Sequence, residues 1–380
     1  MKRYIPLGDV ISKASVDRCG TAPLPILSIT MKDGLVLQDE KFKKRIASVD
    51  TSDYKVIPRG KLVQGIHIDE ANFGIQDIVD AGIVSPAYKV WDVKSEIIFP
   101  KYLEMIMRSP RSLAFYKSKL NGSVNRRGRM TDDDFLGMEI PFVEYSEQQG
   151  IVGIINRTKV IIKQREAQLS ALDDLIKARF VEMFGDPHRS KNYPYFKVSE
   201  LTDVVSGGTP DRKNVDCWNN GTIPWVKTTE LQNKTITKAE EYITEKGLSE
   251  SSAKVVPAST VLIAMYGQGK TRGMTGFLGI DACTNQACAC LLPTSNIDMQ
   301  YLWYFLILSY DELRGLAQGG NQPNLNAGMI KDFPILVPPM EEQKQIVSCV
   351  SQIDKSKSAI QKSLEETQLL YDSLMQEYFG

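Results

Sequence analysis

The chain has 380 residues, 46 of them basic and 46 acidic, so its formal net charge is zero, and 42% of it is apolar. That length and apolar content exclude a disordered chain and leave room for two domains with separate cores. Charge balance weighs against a bulk electrostatic grip on nucleic acid, and six cysteines in a chain this long form no disulfide framework, so a reducing cytoplasm is the expected compartment.

Met1-Lys2-Arg3 runs straight into Pro6 and Asp9, which is not the pattern of a signal peptide. Through residues 1–143, strand-like runs at 24–29, 61–66 and 82–85 alternate with turns, and a helix-like stretch extends from Lys101 to Lys119. A glycine-centred loop closes this half and carries Asn125, Arg126, Arg127 and Arg129. A guanidinium offers a planar fork to a phosphate or a guanine edge, which makes these residues candidates for DNA contact. A solvated surface turn is the plainer reading of the same loop.

Residues 144–186 read as one long helix. Between Glu147 and Met183 there is no proline, and the only glycines, Gly150 and Gly153, lie near the start. Apolar positions step by four and three through Ile151, Ile155, Thr158, Ile162, Arg165, Leu169, Leu172, Ile176, Arg179 and Met183. That is a coiled-coil seam with a few polar breaks, and at ~1.5 Å per residue the helix would run roughly 55 Å. Ser146 and Glu147 fit its start, and Gly185-Asp186-Pro187 stops it.

Residues 187–338 repeat the plan of the first half, with a strand-like run at 260–265 and a helix-like stretch from Met299 to Leu316. The most apolar run, 301–308, is less than half a membrane span and reads as a buried helix. A second glycine-centred loop here carries Asn321 and Gln322, whose amides can pair bidentately with adenine. Arg212, Lys213 and Lys227 are further DNA-contact candidates in this half. Residues 339–380 then form a second long helix opened by Pro338-Pro339, with its seam at Ile346, Val350, Ile353, Lys357, Ile360, Leu364, Thr367, Tyr371, Leu374 and Tyr378.

The two helical blocks match in register. Glu147-Gln148-Gln149 aligns with Glu342-Gln343-Lys344 at an offset of 195 (342 − 147), and Phe184-Gly185 recurs at the same offset as Phe379-Gly380. A period near half the chain length means two copies of one unit, far too long for a solenoid. A shared register favours antiparallel pairing of the helices as a spacer between the halves, over each helix packing only on its own domain.

Three motifs point elsewhere. Gly269-Lys270-Thr271 after an apolar run looks like a phosphate-binding loop, but Ala264 replaces the first glycine and three glycines follow where a helix should begin. The segment fits a nucleic-acid hairpin better, with Lys270, Thr271 and Arg272 toward phosphates and Tyr266 or Gln268 near bases. Cys283, Cys288 and Cys290 lack metal-ligand spacing and read as buried thiols in a strand. With two histidines in the chain and no nucleophile elbow, methyltransfer motif or dinucleotide loop, the sequence points away from catalysis.

In its plan, and in residues 335–347, 206–210, 218–225, 264–273 and 280–287, the chain resembles the specificity subunit of Type I restriction-modification enzymes. The resemblance implies an α+β fold: two mixed α/β target recognition domains, 1–143 and 187–338, and two spacer helices, 144–186 and 339–380, pairing as an antiparallel coiled coil with an internal pseudo-twofold repeat. It also implies a non-catalytic, cytoplasmic DNA-binding subunit that reads an asymmetric bipartite site in double-stranded DNA. The seam residues, among them Ile151, Ile162, Leu172, Ile346, Val350 and Leu374, would dock two methyltransferase subunits carrying S-adenosylmethionine for adenine-N6 methylation. Restriction/translocase subunits would add ATP and Mg, and no cofactor or metal would sit on this chain. The rival readings are a P-loop-like NTPase built on Lys270, and a coiled-coil assembly protein without DNA contact.

Overall fold

The computed structural model describes residues 3–31, 33–42, 47–120, 130–267, 269–317 and 324–380. The first half holds strands β1 (Arg3–Pro6), β2 (Ile11–Lys13), β3 (Leu27–Thr30), β4 (Gly34–Leu37), β5 (Lys55–Pro58), β6 (Leu62–Gln64), β7 (Phe73–Ile75), β8 (Ala81–Val84), β9 (Lys89–Val93) and β10 (Glu139–Phe142). Its helices are α1 (Gln38–Lys41), α2 (Pro100–Met107), α3 (Pro110–Lys119) and α4 (Asp132–Leu136), and the long α5 (Tyr145–Phe184) follows. The second half holds β11 (Tyr195–Lys197), β12 (Val204–Ser206), β13 (Ile223–Val226), β14 (Lys234–Ile236), β15 (Glu241–Ile243), β16 (Val261–Ala264), β17 (Thr275–Leu278), β18 (Cys283–Thr284), β19 (Cys288–Leu291) and β20 (Pro334–Leu336). With them come α6 (Val198–Leu201), α7 (Glu245–Ser249), α8 (Met299–Leu308), α9 (Tyr310–Gly315), α10 (Ala327–Lys331) and the final long helix α11 (Met340–Phe379).

The chain divides into two compact units inside both long helices: residues 1–167 with 361–380, and residues 168–360. In the first unit an antiparallel sheet runs in the order β2-β9-β6-β7. Trp91 of β9 is buried, and its indole donates to Gln64 Oε1 at 2.9 Å, so the one polar atom of a large apolar side chain is satisfied inside the core. The helix expected from Lys101 to Lys119 is two helices. Pro110 cannot donate to the preceding turn, so α2 ends at Met107 and Ser109 caps α3 by accepting from the Ser112 N–H.

The beginning of α5 and the end of α11 both belong to this first unit. Gln148 is fully buried; its Oε1 accepts from the Phe99 N–H at 2.7 Å, and its Nε2 donates to the Val143 carbonyl at 2.9 Å. Phe99 is the N-cap of α2, so the side chain ties two helix starts together. Phe379 is fully buried with its ring 5.3 Å from Tyr102, and the Lys159 ammonium lies 5.6 Å over Tyr371.

In the second unit a five-stranded sheet runs β12-β19-β16-β17-β14, antiparallel except where β14 meets β17, beside a smaller sheet in the order β15-β13-β18. β16, β17 and β19 are buried along their whole length, which is why Val261 to Ala264 reads as an unbroken apolar run. Helix α8 covers this sheet, and Trp303 donates to Thr275 Oγ1 at 2.9 Å. The helix-like stretch from Met299 breaks at Ser309, whose hydroxyl bonds back to the Phe305 carbonyl and leaves α9 as a separate turn.

Here the end of α5 and the beginning of α11 complete the core. Gln343 accepts from the Asp298 N–H and donates to the Pro338 carbonyl, both at 2.8 Å, and Asp298 is the N-cap of α8. Phe184 is fully buried with its ring 5.7 Å from Tyr301. Lys357 pairs with Asp173. Gly185, at φ +80, ends α5 where an L side chain would be strained.

Along α5 the predicted seam positions from Ile151 to Met183 are buried or half-buried, except Arg179, which is exposed. All ten seam positions of α11, from Ile346 to Tyr378, are buried or half-buried. Ile162, Leu169, Leu172 and Ile176 on α5, and Ile360, Leu364 and Leu374 on α11, are half-buried, whereas Ile151, Ile155, Ile346, Val350 and Ile353 are buried. Among the described residues no helix is long and apolar enough to cross a membrane.

Candidate nucleic-acid interface

In the second unit several of the residues singled out by sequence gather at one end of the larger sheet. β16 and β17 are joined by a hairpin closed by Gly273 N–H donating to the Ala264 carbonyl at 2.9 Å and by Ala264 N–H donating to the Met274 carbonyl at 2.9 Å. The tip therefore contains Tyr266, Lys270, Thr271 and Arg272. Tyr266 and Lys270 are exposed, whereas Thr271 and Arg272 are half-buried. Because Gly269-Lys270-Thr271 leads into a strand, no helix N-terminus opens behind it to hold phosphates in the manner of an NTPase loop.

Backbone hydrogen bonds bring two further segments to the base of this hairpin. Met265 N–H donates to the Ala287 carbonyl at 2.8 Å, and Leu325 N–H donates to the Met265 carbonyl at 3.0 Å. Beside Ala287, Asn285 donates its N–H to the Val226 carbonyl at 3.1 Å, which sets Asn285 and Gln286 next to Lys227. Gln286 in turn holds the Thr209 hydroxyl.

Thr209 sits on a turn whose glycines are required by space rather than by flexibility. A Cβ on Gly207 would meet the Thr284 carbonyl oxygen at 2.1 Å, and one on Gly208 would meet the Ser252–Ala253 backbone at 2.4 Å. The Gly208 carbonyl accepts from the Trp225 indole at 2.9 Å. This close backbone approach lets the turn lie against β18.

Arg212 and Lys227 form a neutralised cluster. Arg212 lies 3.9 Å over the Trp218 ring and 4.6 Å over that of Trp225, and it bonds to Glu241. Lys227 donates to Glu241 at 2.8 Å and meets Glu240 at 3.1 Å. Burial alone would push the Glu241 carboxyl up, but the hydrogen bonds from Lys227 and Arg212 hold it below the usual carboxylate range. The Glu241 bond likewise raises the Lys227 ammonium. Two cations are thus balanced by two carboxylates. Lys213 is exposed, its N–H donating to Asp211 Oδ1.

Asn125, Arg126, Arg127, Arg129, Gln268, Asn321 and Gln322 lie outside the described residues. Cys283, Cys288 and Cys290 are fully buried in β18 and β19, and burial pushes the Cys283 and Cys290 thiols up to about 11. Sequence reasoning missed Tyr310 and Arg314 on α9, which bond to the hairpin tip. Their spacing of four, one helical turn, was the available signal.

Residues 190–369 match the family model for the Type I restriction modification DNA specificity domain. Among curated proteins, the chain is similar to the Type I restriction enzyme EcoR124I/EcoR124II specificity subunit of Escherichia coli, at 25% identity over 46% of this chain and 48% of that protein. It is also similar to the MjaIX specificity subunit of Methanocaldococcus jannaschii, at 29% identity over 43% of this chain and 38% of that protein. The chain spans about half the length, or less, of these relatives. Two solved structures share the fold over the whole chain. One is described as the structural basis of complex assembly and conformational transition of the type I R-M system, with TM-score 0.61, 18% identity and 97% of that chain covered. The other is the Type-I restriction-modification S subunit of M. genitalium, with TM-score 0.59, 11% identity and 96% covered. The sheets, glycine turn and hairpin of the second unit all fall within the residues that match this family model.

Proposed function

We propose that this chain is the specificity subunit of a Type I restriction-modification assembly, a DNA reader without chemistry of its own. The observation that carries the reading is the match of residues 190–369 to the DNA specificity domain, which spans the whole hairpin, glycine turn and tryptophan cluster. The first half would be a second reader on the same scaffold. Supporting this internal repeat, Gln148 and Gln343 make equivalent bonds to the N-caps of α2 and α8, and Phe184 and Phe379 occupy equivalent core positions against Tyr301 and Tyr102. Thr131 and Asn326, also 195 apart, both cap short helices through their side chains.

In this reading α5 and α11 pair as an antiparallel coiled coil. The Lys159–Tyr371 and Asp173–Lys357 contacts support it, because one residue number rises as its partner's falls. The pair would set the gap between the two parts of an asymmetric DNA site and dock two methyltransferase subunits. S-adenosylmethionine, and the ATP and Mg of restriction, would be held by those partners. Zero net charge fits a chain whose partners supply part of the phosphate grip. Methylome sequencing of a host with and without the gene tests this. The expected result is the loss of one bipartite N6-methyladenine motif, and an unchanged methylome overturns the proposal.

A further inference from the structure

The hairpin tip that carries Lys270, Thr271 and Arg272 is glycine-rich, with Gly269 at φ +59 and Gly273 at φ +84. A free loop of this composition would sample many conformations, and ordering it on a ligand would cost about 1–2 kcal/mol per residue in backbone entropy. Here the loop is already held. Arg314 Nη1 donates to the Gly269 carbonyl at 2.9 Å and to the Arg272 carbonyl at 3.0 Å. It also donates to the Tyr310 hydroxyl at 2.9 Å, and that hydroxyl donates to the Lys270 carbonyl at 2.6 Å. Three of four consecutive carbonyls, at 269, 270 and 272, are therefore anchored by two side chains of α9. Gly273 fits the same clamp by close approach, since a Cβ there would meet Arg314 Cγ at 3.0 Å.

Among the described residues no carboxylate forms an ion pair with Arg314, so backbone carbonyls and a phenol are the partners through which its charge acts on this loop. We propose that Arg314 and Tyr310 are positioning residues that set the conformation of the hairpin tip at 269–273 and thereby the base discrimination of the second half. This rests on the DNA-reading function proposed above. A pre-ordered loop leaves less entropy to lose when it meets the duplex, and it presents Tyr266, Lys270 and Thr271 in one fixed arrangement.

The test uses the full chain with Arg314→Ala, Arg314→Lys and Tyr310→Phe. Hydrogen exchange across 264–274 reads the clamp. Binding to a duplex bearing the host's methylated bipartite motif, against one with the second part scrambled, reads discrimination. Arg314→Ala and Tyr310→Phe should speed exchange in the hairpin and cut discrimination by about tenfold, the loss of roughly one base contact, with the salt dependence of binding unchanged. Arg314→Lys should rescue most of both, because one ammonium offers three donors from a single nitrogen. Unchanged exchange overturns the clamp. Faster exchange with intact discrimination overturns the positioning role. A salt slope lowered by about one would make Arg314 a phosphate contact and equally overturn it. If the wild-type chain, alone or with its methyltransferase, shows no discrimination, the function proposed above fails and takes the specificity role with it. The clamp itself is then judged by exchange alone.

Discussion

Replacing Phe379 with alanine tests how the last helix is used. The residue is 0% exposed and its ring lies 5.3 Å from that of Tyr102, inside the core of the unit formed by residues 1–167 and 361–380. Truncating a buried phenylalanine to alanine costs about 3–5 kcal/mol, the lost transfer energy together with the cavity left behind. At about 1.4 kcal/mol per tenfold, amide protection in this unit should fall by between two and nearly four orders of magnitude. The assay is hydrogen exchange resolved by peptide. Peptides from 98–107 and 151–155, which share this core, should lose protection, whereas 299–308 in the other unit should keep theirs. Phe184→Ala should do the reverse, because Phe184 is 0% exposed and packs 4.9 Å from Phe180 and 5.7 Å from Tyr301. Equal loss in both units, or none at 98–107, would refute the reasoning that each unit's core is closed by the end of one long helix.

Gln343→Leu strands the buried Pro338 carbonyl, at about 1–3 kcal/mol, and leaves the half-buried Asp298 N–H without its partner, and a denaturant midpoint unchanged from wild type would contradict this. Gln148→Leu should act likewise on the first unit, through the Phe99 N–H and the Val143 carbonyl. Gly207→Ala puts a methyl 2.1 Å from a backbone oxygen that cannot rotate away, so it should destabilise the second unit by at least the ~1–3 kcal/mol of an overpacked core, measurable as a lowered Tm. The Cys283 and Cys290 thiols hold their protons more tightly when folded, near 11 against an ordinary 9. Their contribution is therefore fully present below pH 9 and is lost as pH rises toward 11. Cys290→Ala should flatten the alkaline fall in stability, and an unchanged slope would speak against it.

Much of the scaffold was legible in the sequence because it rests on local rules. The four-three spacing from Ile151 and from Ile346 specified two long helices, and the observed helices, Tyr145–Phe184 and Met340–Phe379, fall within a residue or two of the blocks it marked. The run from Val261 to Ala264 specified a buried strand, and the glycines after Thr271 excluded a helix there. Two helices were read as too long, since Pro110 and Ser309 interrupt patterns that apolar spacing alone carries through. The sequence also marked Gln148 and Gln343 as a repeated pair without saying what they do, because their partners at Phe99 and Asp298 lie 49 and 45 residues away.

What the sequence determined by itself, then, was the order of elements and the chemical character of the hairpin, both set by short-range spacing and residue type. Tertiary structure decided which distant groups meet. It placed Phe379 in the core of the unit that begins at the other end of the chain, and it spent the charge of Arg212 and Lys227 on Glu240 and Glu241. It also tied the hairpin down through Arg314. Such pairings join groups that lie apart in the sequence and meet only when the chain folds, and no local pattern in the chain records them.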